Sequence, residues 1–217
     1  MDDASQPAEP DLSAVPAPST PATHDAPAPH PAATPPAAPR NRLSAWDRRV
    51  SDRIGVTWPH PAWFAKPLGL VSISGNYGVV WYVVAAVAAW AAAGDAELAL
   101  RRFAFVSGAV LACQGVTFFV KLGVRRRRPV EKDPSGGEHI RKPRSPSFPS
   151  SHASMSAVGV ITLATLYPAW LWAFVALAAV LVFSRVYLRV HYVLDVLAGV
   201  ALGTVFGFVF VWLVPTP

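Results

Sequence analysis

At 217 residues the chain holds one domain's worth of sequence. Hydrophobic residues make up 53% of it and charged ones 15%, which is too apolar for an ordinary soluble domain. The net charge is +6, but five of the 13 acids (Asp2, Asp3, Glu9, Asp11, Asp25) fall in the first 39 residues, where there is no Lys or Arg. The rest of the chain therefore sets all 19 bases against eight acids. A basic, apolar protein points to the bilayer and to anionic lipid or phosphate partners. Nucleic acid is the rival partner. The bases border apolar runs rather than forming a groove interleaved with aromatics, so none is expected.

Residues 1–39 carry eleven of the 22 prolines and little to bury. A Pro/Ala-rich tail, disordered with extended polyproline character, is expected over residues 1–42. It opens Met1-Asp2-Asp3 without an apolar core, so it does not read as a signal peptide. Residues 43–217 are expected to form one membrane-embedded domain. Within it, residues 43–65 interleave Trp46, Val50, Ile54, Trp58, Trp63 and Phe64 with Arg48, Arg49 and Arg53. That pattern predicts an interfacial helix with tryptophans at headgroup level. Apolar runs over 70–93, 103–123, 153–167, 169–188 and 192–214 predict about five transmembrane helices, with a polar basic loop over about 124–150. The run over 153–167 is short for a span, so its start is expected to be drawn into the protein. The predicted fold class is all-α: an integral membrane helical bundle plus an N-terminal interfacial helix. Gly199, Gly203 and Gly207 recur every four residues and form a ridge for close helix packing. Asn76 and Gln114 read as interhelical hydrogen-bonding groups, and Cys113 is alone.

Three polar clusters lie at span ends: Lys121 to Arg128-Pro129, Pro149-Ser150-Ser151-His152, and Ser184-Arg185 to His191 and Asp195. By helix alternation all three fall on one side. Charged residues beside a bilayer are costly, about 2.5–3.5 kcal/mol each at a helix centre, and default to function. The chemistry that suits the set is phosphoryl transfer. Lys121, Arg128 and Arg185 would neutralise phosphate oxygens. Ser150 and the backbone N–H groups of the following helix would donate hydrogen bonds. His191 and Asp195 are four apart and share a face if that run is helical, so Asp195 would orient His191 for attack on phosphorus. His152 would protonate the leaving oxygen and then activate water. Two histidines and one aspartate make a poor metal set, and no cofactor is expected. Arg125, Arg126 and Arg127 read as a topology signal or a headgroup patch, and Arg189 as facing the headgroups.

The three clusters in order resemble the signature of the type 2 phosphatidic acid phosphatase family, which also includes vanadate haloperoxidases: K-x6-R-P, P-S-G-H and S-R-x5-H-x3-D. The resemblance covers roughly residues 45–214. It implies metal-independent dephosphorylation of a lipid phosphate or polyprenyl pyrophosphate through a phosphohistidine. It implies phosphate contacts from Lys121, Arg128, Ser150, Ser151 and Arg185, with His191 as nucleophile, His152 as general acid and Asp195 as its support. Ser151 departs from the family's usual Gly, which narrows the pocket and adds a hydroxyl. The layout of an interfacial helix followed by five spans is similar to that of small bacterial undecaprenyl pyrophosphate phosphatases. That likeness puts the site on the extracytoplasmic face of the cell membrane. The positive-inside count runs the other way, with Arg40, Arg42, Arg48, Arg49, Arg53 and Lys66 before the first span against Arg101 and Arg102 after it. Two rival functions remain: a vanadate-dependent haloperoxidase, and a non-enzymatic protein that binds or transports lipid headgroups.

Overall fold

The computed structural model describes residues 42–129 and 145–217. The tail up to residue 41 and residues 130–144 of the basic loop lie outside them. The described residues are helical, with seven α-helices among them and no strand. These are α1 (Arg42–Asp52), α2 (Ala62–Ser74), α3 (Val79–Ala92), α4 (Ala96–Val124), α5 (Ser151–Leu166), α6 (Leu171–Tyr187) and α7 (Val193–Leu213). The bundle is apolar outside as well as inside. Val83, Val87, Leu111, Phe119, Val205 and Phe208 are exposed, as expected of helices whose solvent is lipid. Three helices are long and apolar enough to cross a bilayer: α4, α7, and α6 with its preceding turn. The protein is embedded in a membrane.

The first predicted span departs from expectation. Residues 70–93 are not one helix: α2 and the stretch Asn76–Ala92 meet at a bend of 58°, and only the two together satisfy the length and apolarity of a span. The break is at Gly75–Gly78, where Tyr77 (φ 54°) and Gly78 (φ 80°) take left-handed backbone that a helix cannot contain. Asn76 thus lies in a helical break, not inside a span. A Cβ on Gly75 would come within 2.6 Å of the His152 ring, so the bend lets this backbone approach that side chain.

The amphipathic stretch 43–65 is also divided. α1 runs into one π-helical turn, Arg53–Thr57, and a new helix starts at Ala62. Pro59 and Pro61 explain the interruption, because each removes an N–H and disfavours helical backbone in the residue before it. Tyr187 at the end of α6 holds the turn. Its hydroxyl donates to the Pro59 carbonyl (2.7 Å), its carbonyl accepts from His60 Nε2 (3.0 Å), and the two rings stack at 4.2 Å.

α5 is the central element and packs against α4, α6 and α7. With 16 residues it is about 24 Å long, shorter than a hydrocarbon core of about 30 Å. The sequence reading anticipated a start drawn into the protein, and the residues from His152 to Ser156 are all buried. Trp81, Val106, Val110, Met155, Val158 and Leu163 fill the core between α3, α4 and α5. On the other side α5 meets the glycine ridge of α7. A Cβ on Gly199 would lie 2.5 Å from the Ser150 carbonyl oxygen, and one on Gly207 2.9 Å from Ile161 Cδ1. A Cβ on Gly203 would collide with the Ser154 backbone. The ridge therefore sets how near the start of α5 can come to the start of α7. Gln114 does not make the bond expected of it, since its Oε1 is buried without a hydrogen-bond partner.

This crossing yields a stability prediction. Gly203→Ala should cost about 1–3 kcal/mol through overpacking against fixed backbone. Gly115→Ala, where a Cβ meets nothing within 4 Å, should cost nothing measurable. Thermal unfolding in detergent compares the two, and equal Tm values would contradict the packing assigned to the ridge.

Candidate active site

The third cluster is not a continuous helix. α6 ends at Tyr187, and residues 188–192 turn before α7 begins. Arg185 sits in the last turn of α6, His191 in the turn, and Asp195 in the first turn of α7. His191 and Asp195 thus meet across a helix start rather than along one helical face. Two backbone bonds pin the turn: the N–H groups of Val190 and His191 both donate to the Arg185 carbonyl, each at 3.1 Å. Arg189 takes φ 58° there and is buried, not facing headgroups as its sequence position suggested. Its stem packs where a Cβ on Gly55 would otherwise go.

Asp195 performs several tasks. Its Oδ2 accepts from the Tyr192 N–H (2.9 Å), which caps the exposed donors at the start of α7. The same oxygen lies 3.5 Å from His191 Nδ1. Its Oδ1 accepts from Arg126 Nη1 at 2.6 Å. Its backbone carbonyl accepts from the Ser150 N–H at 2.9 Å, which fastens the second cluster to the third.

His191 is 2% exposed. Its Nε2 lies 3.1 Å from Arg128 Nη1. A guanidinium only donates, so Nε2 is the acceptor and the neutral ring carries its proton on Nδ1, toward Asp195. Burial first, then the charges of Arg128, Arg185 and Lys121, push this imidazole well below its ordinary pKa. The ring is therefore neutral, with its Nε2 lone pair aimed among the cations, as an attacking nitrogen must be.

The cations come from the end of α4, the segment that follows it, and the end of α6. Lys121, near the end of α4, donates from Nζ to the Pro146 carbonyl at 2.9 Å. Arg128 donates from Nε to the Ser145 carbonyl (2.9 Å) and from Nη1 to the Val190 carbonyl (2.8 Å). Arg185 Nη1 donates to Ser72 Oγ, and its Nε is buried without a partner. All three residues are under 5% exposed. Lys121 and Arg185 meet neutral oxygens, and burying such charges uncompensated costs several kcal/mol each. An oxyanion seated among them would supply the missing charge.

The second cluster frames the same space. Ser150 precedes α5 as its N-cap, but its hydroxyl caps nothing: Oγ is buried and unpartnered. Ser151 is the half-buried first residue of the helix. His152 is buried, and its Nε2 donates to the Ser72 carbonyl at 3.0 Å. A hydroxyl free to donate and the N–H groups of a helix N-terminus together favour an anion. The structure thus brings Lys121, Arg128, Ser150, Ser151, His152, Arg185, His191 and Asp195 to one end of the bundle. Among the described residues, no group of three His, Cys, Asp or Glu is placed to hold a metal ion.

Three neighbours carried no signal of their own in the sequence. Ser72 receives both His152 and Arg185. Arg126 is not a surface charge. It bridges Asp195 and Asp47, the latter at 2.5 Å, and its guanidinium lies 4.2 Å above the Tyr192 ring. Asp47, on the amphipathic α1, is fully buried. Arg125 and Arg127 do remain exposed, as a headgroup patch requires.

Comparison with known proteins agrees with this arrangement. The pattern of the PAP2 superfamily matches residues 102–217. The chain is 32% identical over 150 residues to the decaprenylphosphoryl-5-phosphoribose phosphatase of Mycobacterium tuberculosis, covering 68% of this chain and 78% of that one. It is 46% identical over 68 residues to the undecaprenyl-diphosphatase of Sulfolobus acidocaldarius, covering 31% of this chain and a third (33%) of that protein's length. Its fold is similar to that of a crystal structure titled as a transmembrane PAP2-type phosphatidylglycerolphosphate phosphatase from Bacillus subtilis. The TM-score is 0.60 at 21% identity, over 78% of this chain and 85% of that one. With the three clusters joined at one bundle end and this pattern spanning all three, the chain belongs to the PAP2 superfamily.

Proposed function

We propose that this protein is a membrane lipid phosphatase working through a phosphohistidine on His191. The observation that carries the reading is the aim of the His191 Nε2 lone pair into a buried cluster of Arg128, Arg185 and Lys121. A phosphate held there would contact those cations, the free Ser150 hydroxyl and Ser151 at the start of α5. Its phosphorus would face Nε2. Attack forms the N–P bond and breaks the bond to the leaving oxygen, which takes a proton from His152. With the Nε2–H of His152 held by the Ser72 carbonyl, the proton given is the one on Nδ1 of the imidazolium form, which the phosphate's negative charge would favour. Water then attacks phosphorus, gives its proton to His152 and releases phosphate as the N–P bond breaks. Asp195 Oδ2, 3.5 Å from Nδ1, is the carboxylate oxygen that would balance the charge on the ring as the N–P bond forms.

The substrate class follows from the membrane setting. Cations at the ends of spans sit where a lipid headgroup lies. The two curated relatives are named for polyprenyl-linked phosphates, so a polyprenyl phosphate or diphosphate is the substrate proposed here. Residues 1–42 are read as a tail and residues 43–217 as one membrane-embedded domain.

Activity tests are direct. Phosphate release from a panel of polyprenyl diphosphates, phosphatidic acid and phosphatidylglycerol phosphate should persist with chelator present. It should fall by at least about a thousandfold in His191→Ala, where the covalent route is removed, and about 10²–10⁴-fold in His152→Ala. Full activity in either variant, or abolition by chelator, would sink the reading. Vanadate or phosphate binding by calorimetry should weaken at least tenfold in Arg185→Ala, a loss of about 1.5–3 kcal/mol for a hydrogen bond to a charged group. Unchanged binding would remove Arg185 from the anion site.

The site is proposed to open on the extracytoplasmic face, as the polyprenyl diphosphate substrate class suggests. The basic residues before and within α2 favour the opposite side. A single cysteine introduced at position 135 should react with an impermeant maleimide on intact cells, and labelling only after permeabilisation would place the site inside.

A further inference from the structure

α1 is joined by hydrogen bonds to Asp195, whose carboxylate stands 3.5 Å from the candidate nucleophile. Asp47 is buried on α1 and uses both carboxylate oxygens. Oδ1 accepts the Leu194 N–H at 2.9 Å, and Oδ2 accepts Arg126 Nη2 at 2.5 Å. Arg126 turns its other terminal nitrogen, Nη1, to Asp195 Oδ1 at 2.6 Å. Asp195 Oδ2 faces His191 Nδ1 at 3.5 Å. One turn along α1, Ser51 Oγ accepts the Val193 N–H at 2.9 Å. The start of α7 is therefore docked on α1 by two backbone N–H bonds, one to a carboxylate and one to a hydroxyl, while Arg126 bridges the two elements through its ion pairs with Asp47 and Asp195.

The charge count gives the network a purpose beyond docking. Arg126 alone beside Asp195 would cancel the carboxylate that His191 depends on. Asp47 supplies a second carboxylate for the same guanidinium. Two carboxylates and one guanidinium leave one net negative charge next to the imidazole. That charge is what stabilises the positive ring formed as Nε2 bonds to phosphorus. Arg126 meanwhile fixes the Asp195 carboxylate so that Oδ2, not Oδ1, is presented to Nδ1.

We propose that Asp47 and Arg126 are positioning residues for His191, sharing one guanidinium between two buried carboxylates so that Asp195 stays both oriented and negatively charged. The proposal rests on the phosphatase reading given above. Neither residue touches the proposed phosphate site, so their effect falls on the chemical step and not on substrate binding.

The test is a charge-restoration cycle on the full-length protein in detergent micelles, with phosphate release from a polyprenyl diphosphate as the readout. Asp47→Asn keeps an oxygen for the Leu194 N–H but removes the charge. It should lower kcat about 10–100-fold, with KM nearly unchanged. The double variant Asp47→Asn with Arg126→Gln returns the net charge to one negative and should recover most of that loss. A merely structural role predicts the opposite, with the double variant worse than either single one. Asp47→Glu keeps the charge and should lie nearer to wild type than Asp47→Asn. It carries the comparison should Asn not fold. Ser51→Ala, which removes docking alone, should leave kcat unchanged. Full kcat in Asp47→Asn, a loss confined to KM, or a double variant no better than Asp47→Asn would each overturn the proposal while the phosphatase reading stands. A wild-type protein that releases no phosphate from any member of the lipid panel would end both.

Discussion

The site depends on one short bond between two helix starts, from the Ser150 N–H to the Asp195 carbonyl at 2.9 Å. It joins the N-terminus of α5 to that of α7, and so the second polar cluster to the third. The bond forms only because Gly199 and Gly203 let the helix backbones approach to a distance that no side chain would allow. In a bilayer there is no hydrophobic drive to press helices together, so small residues and polar bonds decide where they touch. Here both act at the same place. The crossing carries His152 and the free Ser150 hydroxyl toward the turn that holds His191.

The electrostatics follow from that placement. Three cations are buried around one neutral imidazole, a charge-rich region inside an apolar bundle. Such an arrangement stores unfavourable energy until an anion arrives. The carboxylates lie on the far side of the ring, where they balance Arg126 and face Nδ1. The imidazole thus divides the site into a positive half, suited to phosphate, and a negative half, suited to stabilising the ring once it has reacted. Ser72, in the helix that the Gly75–Gly78 bend turns away from α3, holds Arg185 and His152 in the positive half.

The residues proposed to react are legible in the sequence because charge beside apolar runs is costly and therefore conspicuous. Lys121, Arg128, His152, Arg185, His191 and Asp195 all stood out against hydrophobic neighbours, and helix alternation was enough to put them on one side. The glycine ridge was legible from its spacing. Other features were not. Gly75-Asn76-Tyr77-Gly78 carries two glycines and an asparagine, a turn signal that the apolar runs on either side mask, and left-handed backbone there breaks the first span. Arg126 stands in a row of four arginines, and only tertiary contact separates the one that bridges two carboxylates from its exposed neighbours. Nothing in the amphipathic pattern singles out Asp47, and Arg189 reads as a headgroup contact, yet both are buried. Ser72 is one serine in an apolar helix, and its two partners lie 80 and 113 residues away.

The central claim is that His191 Nε2 carries the phosphoryl group. Rapid quenching of the enzyme with a substrate labelled with radioactive phosphorus at its terminal phosphate measures it most directly. The account predicts a transient protein-bound label that is stable to base and labile to acid, maps to the peptide containing His191, and disappears in His191→Ala. Label on another residue, or label persisting in that variant, would contradict it.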